Sequence, residues 1–298
     1  MHRAALDTEE AAMATRVLMG FDGSPPSTAA IDAGARLFPG ARAWIAHLWA
    51  PPFADARLRD RLRTGTRHVD DFAQALEREG EREANRTAGV GVILARAVGW
   101  DAEPLVVRSY GGEGLALSDL AEKLDPDLVL VGSRGLGGAE AVLGSVSDTV
   151  AHHSPRPVLV MPHPLLTAEY AALTDGPVLV AFDGSDGART ALATAERLFD
   201  ARRLELVTVD DDQPPEDDAA GPGSAPVTRL HVAARPGPPG RAVAAALAGC
   251  ARDRSAAALV VGSRGRSAMR EILLGSVAMA TLHHAGRPVL VVPAPTDD

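Results

Sequence analysis

The chain has 298 residues, of which 46% are hydrophobic and 23% charged, a composition typical of a globular protein with length for two ordinary domains. Its formal net charge of −9, with no block rich in Lys or Arg, disfavours a nucleic-acid partner. The single cysteine, Cys250, excludes an internal disulfide. With no apolar run of about 18 residues and no leader pattern at the start, we expect a cytoplasmic protein without a membrane partner.

The first half of the chain alternates apolar runs with helical patterns. Strands are predicted at "RVLMGFD", "RAWIAHLWA", "EPLVVRS", "DLVLVG" and "RPVLVMP". Helices are predicted between them at "PSTAAIDAGARLF", within 57–97, at "GLALSDLAEKL" and at "SVSDTVAHH", with Ser24 or Ser27 as a cap of the first. This alternation is typical of a parallel sheet with helices on both faces, wound in both directions from the first strand.

The second half repeats the first. "VLMGFDGS" returns as "VLVAFDGS", 161 positions later at the aspartate, and "VGSRG" returns 130 positions later. The second half has therefore lost about 31 residues between these landmarks. The segment 211–226, "DDQPPEDDAAGPGSAP", has the composition of a solvated loop, so the lost residues are mostly the helix between the second and third strands.

The repeat predicts an α/β protein of two tandem, doubly wound, Rossmann-like domains. Each domain has a five-stranded parallel sheet, and the second lacks one helix. We expect the first domain to span 1–161, a linker 162–176 and the shortened second domain 177–298.

A glycine pattern in each half carries the clearest chemistry. In the second half Gly262 and Gly265 end a predicted strand, Gly275 and Ser276 begin a helix, and Asp183 ends the first strand on the same rim. A glycine turn leaves room for a ligand against the main chain, and the free N–H groups of a helix start favour an anion. The first half repeats the pattern at Asp22, Gly132, Gly135, Gly144 and Ser145, with eight residues instead of nine between the second and third glycines.

The alternative interpretation is that the glycines only form turns and the aspartates only cap helices. Recurrence of the whole pattern in both halves weighs against it. Other sites fit less well. The pairs His152–His153 and His283–His284 suggest a metal, but neighbouring helical residues point about 100° apart, so we interpret them as helix-end residues. No phosphate-binding loop with a GK[ST] ending is present, and no D-x-D follows "FDGS".

The glycine pattern resembles that of the universal stress protein family, whose ATP-binding members carry G-x2-G-x9-G-[S/T] after the fourth strand and an aspartate after the first. The resemblance covers essentially the whole chain as two copies. The second copy matches in full, whereas the first is one residue short. The family commonly dimerises through its last strand, which implies that 158–160 and 289–291 pair within this chain as a pseudo-dimer. A homodimer through other surfaces stays open.

The resemblance also implies roles for individual residues. Asp22 and Asp183 would lie near the nucleoside, and the backbone at Leu48 and Val209 would face adenine. Val131 and Val261 would flank the base. The phosphates would be held by the glycine loops and by Arg134, Arg264, Gly144, Ser145, Gly275 and Ser276.

These observations together predict a stress-response protein that binds ATP, with or without magnesium, or a related adenine nucleotide. We expect a sensor or binding module rather than a fast enzyme, because no general base is evident near the phosphate loop. The alternatives are a nucleotide-independent structural or partner-binding protein and a slow ATP hydrolase.

Overall fold

The computed structural model describes residues 14–51, 69–133, 143–210, 228–265 and 274–294. In the first half the elements follow the predicted order. They are β1 (Arg16–Gly20), α1 (Pro25–Leu37), β2 (Arg42–Trp49), α2 (Val69–Ala97), β3 (Asp101–Arg108), α3 (Glu113–Leu124), β4 (Leu128–Gly132), α4 (Ser145–His153) and β5 (Val158–Met161). The Ser24 side chain caps α1 by accepting a hydrogen bond from the Ser27 N–H.

The second half repeats this order after one connecting helix. The elements are α5 (Thr167–Asp175), β6 (Val178–Ala181), α6 (Asp186–Leu198), β7 (Leu204–Asp210), β8 (Thr228–Ala233), α7 (Pro239–Asp253), β9 (Ala258–Gly262), α8 (Ser276–His284) and β10 (Val289–Val292). Helix α5 lies within 162–176, the segment that we expected as a linker.

All ten strands form one sheet in the order β3-β2-β1-β4-β5-β10-β9-β6-β7-β8. Neighbouring strands are parallel within each half. The two halves meet where β5 and β10 pair antiparallel, with Leu159 opposite Leu290. This confirms the tandem, doubly wound fold and the internal pairing of 158–160 with 289–291.

Helices cover both faces of the sheet, because strands such as β4 and β9 are apolar along their whole length and must be buried on both sides. Residues of α1, α2, α5 and α6 belong to the core on one face. Residues of α3, α4, α7 and α8 belong to the core on the other.

The two halves differ beside their second and third strands. In the first half Pro104 and Val106 of β3 border a crevice whose other wall is α2. The register places Arg229 and His231 of β8 at the corresponding positions. Only 17 residues separate β7 from β8, fewer than the 29 of α2. The polar side chains of Arg229 and His231 are what the predicted absence of a covering helix would favour. The predicted loop 211–226 and the start of the predicted helix at 57–68 lie outside the described residues.

Helix α5 packs against α1 through polar and apolar contacts. The Tyr170 hydroxyl hydrogen-bonds the Asp32 carboxylate, and the Arg36 guanidinium lies 4.3 Å from the centre of the Tyr170 ring. Leu173 is fully buried in the core that α1 shares. The connecting segment is therefore an integral part of the first core.

Two equivalent phenylalanines join the halves away from the strand pair. Phe38 and Phe199 are 161 positions apart, as the aspartates of the repeat are. Their ring centroids lie 5.2 Å apart, and both side chains are buried. Each follows the helix after the first strand of its half, so the pair marks the pseudo-twofold relation between the halves.

We expect Phe199→Ala to lower the free energy of unfolding by about 3–5 kcal/mol, because it leaves a cavity between the halves. Urea unfolding followed by circular dichroism measures the change. Leu166→Ala is the matched control, since Leu166 is 66% exposed, and it should change the value by less than about 0.5 kcal/mol. Equal losses for the two variants would contradict the role given to Phe199.

Candidate functional site

Each half carries one cleft at the carboxyl ends of its strands, where open parallel sheets bind ligands. The cleft of the second half, here the second cleft, has a volume of about 310 Å³. It lies between the ends of β6, β7 and β9 and the starts of α7 and α8. All eight residues predicted for this half line it, namely Asp183, Val209, Val261, Gly262, Arg264, Gly265, Gly275 and Ser276.

The loop after β9 is held close to the main chain around it. The Gly275 N–H donates a hydrogen bond of 2.6 Å to the Ser263 carbonyl, which brings the start of α8 beside the end of β9. A Cβ atom at position 262 would lie 2.8 Å from the Gly187 carbonyl oxygen, so only glycine fits there without a shift. One at position 265 would come within 3.0 Å of a carboxylate oxygen of Asp183. The glycines thus bring the loop, the helix start and the aspartate to one place.

Asp183 lines the second cleft and also contacts the residue that caps the next helix. One carboxylate oxygen accepts hydrogen bonds from the Ser185 N–H at 3.0 Å and the Ser185 hydroxyl at 2.6 Å. Ser185 in turn caps α6 by accepting from the Ala188 N–H at 3.2 Å. The second carboxylate oxygen of Asp183 faces Gly265 across the cleft. The Asp183 carboxylate is therefore held by Ser185 at the start of α6 and lies on the cleft wall.

Arg264 has an unsatisfied group in the second cleft. Its Nε atom is buried and has no hydrogen-bond partner in the part of the chain that the structure describes. A buried guanidinium N–H without an acceptor is unfavourable, and phosphate oxygens are acceptors that arginine binds well. The residues of this cleft therefore fit an anionic ligand.

The cleft of the first half, here the first cleft, has a volume of about 270 Å³. Five of the predicted residues line it, namely Asp22, Leu48, Val131, Gly132 and Gly144. Ser145 is exposed at the start of α4 and is not among the lining residues. Arg134 and Gly135 lie outside the described residues, so their predicted roles stay predictions.

The Asp22 carboxyl is stabilised in its ionised form. Burial raises the pKa of Asp22. Hydrogen bonds from the Ser24 side chain and backbone and from Ser27 lower it by more than burial raises it, so the pKa lies below its ordinary value. The Ser24 N–H donates to the carboxylate at 3.0 Å. Asp22 is therefore a pure hydrogen-bond acceptor at neutral pH, suited to hydroxyl or amino groups of a ligand.

Two polar residues that line the first cleft were not predicted from the repeated motifs. His47 lines the cleft, and its Nδ1 lies 2.9 Å from the Phe21 carbonyl oxygen; since that oxygen only accepts, Nδ1 carries the hydrogen. Glu113, the first residue of α3, also lines the cleft. The repeat hides both, because the second half has Thr208 and Val243 at the corresponding positions. The signal in the sequence that could have indicated these two residues is that the copies differ at these positions.

The histidine pairs lie in the last turns of α4 and α8, as predicted. His152 Nδ1 lies 2.8 Å from the Asp148 carbonyl oxygen, a contact within the same helix. Within the described ranges, no group of three or more His, Cys, Asp or Glu side chains has an arrangement that could hold a metal ion. Nor does any helix in those ranges have the length and apolar character to span a membrane.

Comparisons with known proteins agree on one family. A universal stress protein of Mycobacterium tuberculosis H37Rv is 31% identical over 196 residues, which cover 56% of this chain and 62% of that protein. The match thus spans less than two thirds of the relative's length. The structure of a universal stress protein from Archaeoglobus fulgidus superposes with a TM-score of 0.66 at 20% identity, over 94% of this chain and 98% of that one. The structure of a universal stress protein family protein from Arabidopsis thaliana with AMP bound is 16% identical. The superposition covers 50% of this chain and 91% of that one, with a TM-score of 0.33.

The sequence model of the universal stress protein family matches residues 13–162 and again residues 225–293. The two matches fall on the two halves that share the ten-stranded sheet, and together they cover most of the chain. The chain therefore belongs to the universal stress protein family.

Proposed function

We propose that this protein is a cytoplasmic stress-response module that binds an adenine nucleotide, with ATP preferred in the second cleft. The observation that carries the proposal is the buried Nε of Arg264, which has no hydrogen-bond partner among the described residues and lies beside the glycine loop and the start of α8. A guanidinium whose Nε has no acceptor within the described residues, next to the N–H groups of a helix start, suits the phosphates of a nucleotide.

The lining of the second cleft has residues suited to the purine, the ribose and the phosphates of such a ligand. Val207, Val209, Val261 and Leu247 give it an apolar wall, which suits the faces of a purine. Asp183 offers a carboxylate oxygen to ribose hydroxyls. Arg264 and the N–H groups at the start of α8 from Ser276 onward would hold phosphate oxygens, whereas the Gly275 N–H already donates to the Ser263 carbonyl. Magnesium would be bound mainly through those phosphates.

We infer a binding role rather than rapid hydrolysis, since the described residues that line the second cleft include no His, Lys or Cys. A homodimer through surfaces other than β5 and β10 remains part of the proposal, because those strands are already paired within the chain. Mass spectrometry of small molecules released by heating the purified protein tests the proposal directly. Recovery of an adenine nucleotide is expected, whereas a protein that carries none and binds none on titration would favour the nucleotide-independent alternative.

We expect Arg264→Ala to weaken ATP binding by roughly five- to 150-fold, the effect of losing one hydrogen bond to a charged group, and to leave adenosine binding nearly unchanged. Isothermal titration with each ligand measures both affinities. Arg252→Ala is the control, because Arg252 is exposed at the far end of α7. Equal weakening of ATP and adenosine would instead assign Arg264 to the stability of the loop.

The two clefts should differ in affinity, with ATP bound more tightly in the second. Only eight residues span Gly135 to Gly144, where nine span Gly265 to Gly275, so the amides at the start of α4 and α8 need not present the same geometry to phosphates. The measurement is titration of ATP into Gly265→Val and, separately, Gly135→Val, each of which should block one loop. If Gly135→Val removed the tighter phase and Gly265→Val left it intact, the argument from the spacer would be wrong.

A further inference from the structure

The two clefts have different residues at one corresponding wall position. Gly132 and Gly262, which end β4 and β9, are 130 positions apart. The same offset relates Glu113 to Val243, and both residues line their clefts. The wall of the first cleft thus carries a carboxylate where the wall of the second carries an apolar side chain.

Packing between α3 and α4 fixes where the Glu113 backbone lies. Gly114 touches α4 so closely that a Cβ atom on it would lie 3.1 Å from the Val146 carbonyl oxygen and would also overlap the Thr149 side chain. The start of α3 is therefore pressed against the first turns of α4, the helix whose start at Gly144 borders the first cleft. Glu113 and Val146 both line the first cleft, and Glu113 is exposed at its wall.

The second half brings the corresponding helices together in another way. Helix α7 has 15 residues and begins before Val243, whereas α3 has 12 and begins at Glu113 itself. A Cβ atom on Gly240 would lie 2.7 Å from the Ser276 hydroxyl oxygen, so this earlier turn of α7 packs on the start of α8. The first turn of α7 contains no acidic residue. The start of α8 is therefore left without a neighbouring carboxylate from α7.

The charges on the two linings differ accordingly. In the described part of the first cleft the charged lining residues are Asp22 and Glu113, both acidic. In the described part of the second cleft they are Asp183 and Arg264, one of each sign. Arg134, the counterpart of Arg264, lies outside the described residues, so the charge difference that the structure describes is Glu113 against Val243. Glu113 lies in the first turn of α3, so its carboxylate offsets the positive end of the dipole of α3, which otherwise attracts anions. It also repels a nearby ligand in proportion to that ligand's negative charge.

We propose that Glu113 is a specificity-determining residue that makes the first cleft select a nucleoside, or another adenine ligand of low negative charge, over a polyphosphate. The carboxylates of Asp22 and Glu113 accept hydrogen bonds from hydroxyl and amino groups, which a nucleoside offers without bringing phosphates. The chain would then respond to two ligand classes, a nucleoside triphosphate in one half and a weakly charged ligand in the other. This inference rests on the proposed function.

The test compares ATP with adenosine by isothermal titration of the full-length chain. In a Gly265→Val background, which blocks the second cleft, Glu113→Gln should strengthen ATP binding by roughly 3- to 30-fold, the range for one charge pair a few ångströms apart near a protein surface. Adenosine binding should change by less than about twofold, since the amide keeps the size of the side chain and removes only its charge. The gain for ATP should shrink at high salt, because mobile ions screen the repulsion.

The reciprocal change is made in the second cleft of the otherwise unaltered chain. Val243→Glu should weaken ATP in the tighter phase more than it weakens adenosine, and Val243→Gln is the size-matched control without charge. Equal effects on ATP and adenosine, or no effect of Glu113→Gln on ATP, would overturn the role of Glu113 while leaving nucleotide binding intact. If the unaltered chain binds neither ligand, the proposed function itself fails, and the inference fails with it.

Discussion

The antiparallel pairing of β5 with β10 is the contact on which the rest of the molecule depends. Each half ends in a short strand with the sequence PVLV, and in a separate half that strand would be an exposed, apolar sheet edge. Pairing Leu159 with Leu290 buries both edges completely and joins two parallel sheets into one. Because strand direction reverses at this pair, the carboxyl ends of the two halves point to opposite edges of the sheet. The two clefts are therefore separate sites within one continuous structure.

That separation allows the two clefts to diverge. Both keep the aspartate after the first strand and the glycines after the fourth, so the backbone of the site is retained twice. The side chains that approach from the neighbouring helix are not retained. The extra turn at the start of α7 and the apolar residue in place of Glu113 change the charge on the cleft lining without altering the sheet.

The second half has 17 residues between its second and third strands, where the first half has the 29-residue helix α2. Arg229 and His231 of β8 take the positions that Pro104 and Val106 have in β3, so this strand face is more polar in the second half than in the first. On the opposite face the Arg254 guanidinium, at the end of α7, donates two hydrogen bonds of 2.9 and 2.6 Å to the buried Glu205 carboxylate of β7. This bidentate contact links the end of α7 to β7 on the face of the sheet against which α7 packs.

The sequence by itself determined the repeat, the strand and helix order and the glycine rim, because apolar periodicity and turn residues act locally and appear in the chain as written. It did not predict that 162–176 forms a helix, since α5 shows little segregation of apolar residues and depends on Asp32, Arg36 and the core of α1 for its contacts. It also did not predict His47 and Glu113 at the first cleft. Their presence there depends on how closely α3 approaches α4 and on strand register, distances between segments far apart in the chain. Only the tertiary structure decides such distances, because they result from packing between elements rather than from the preferences of any one element.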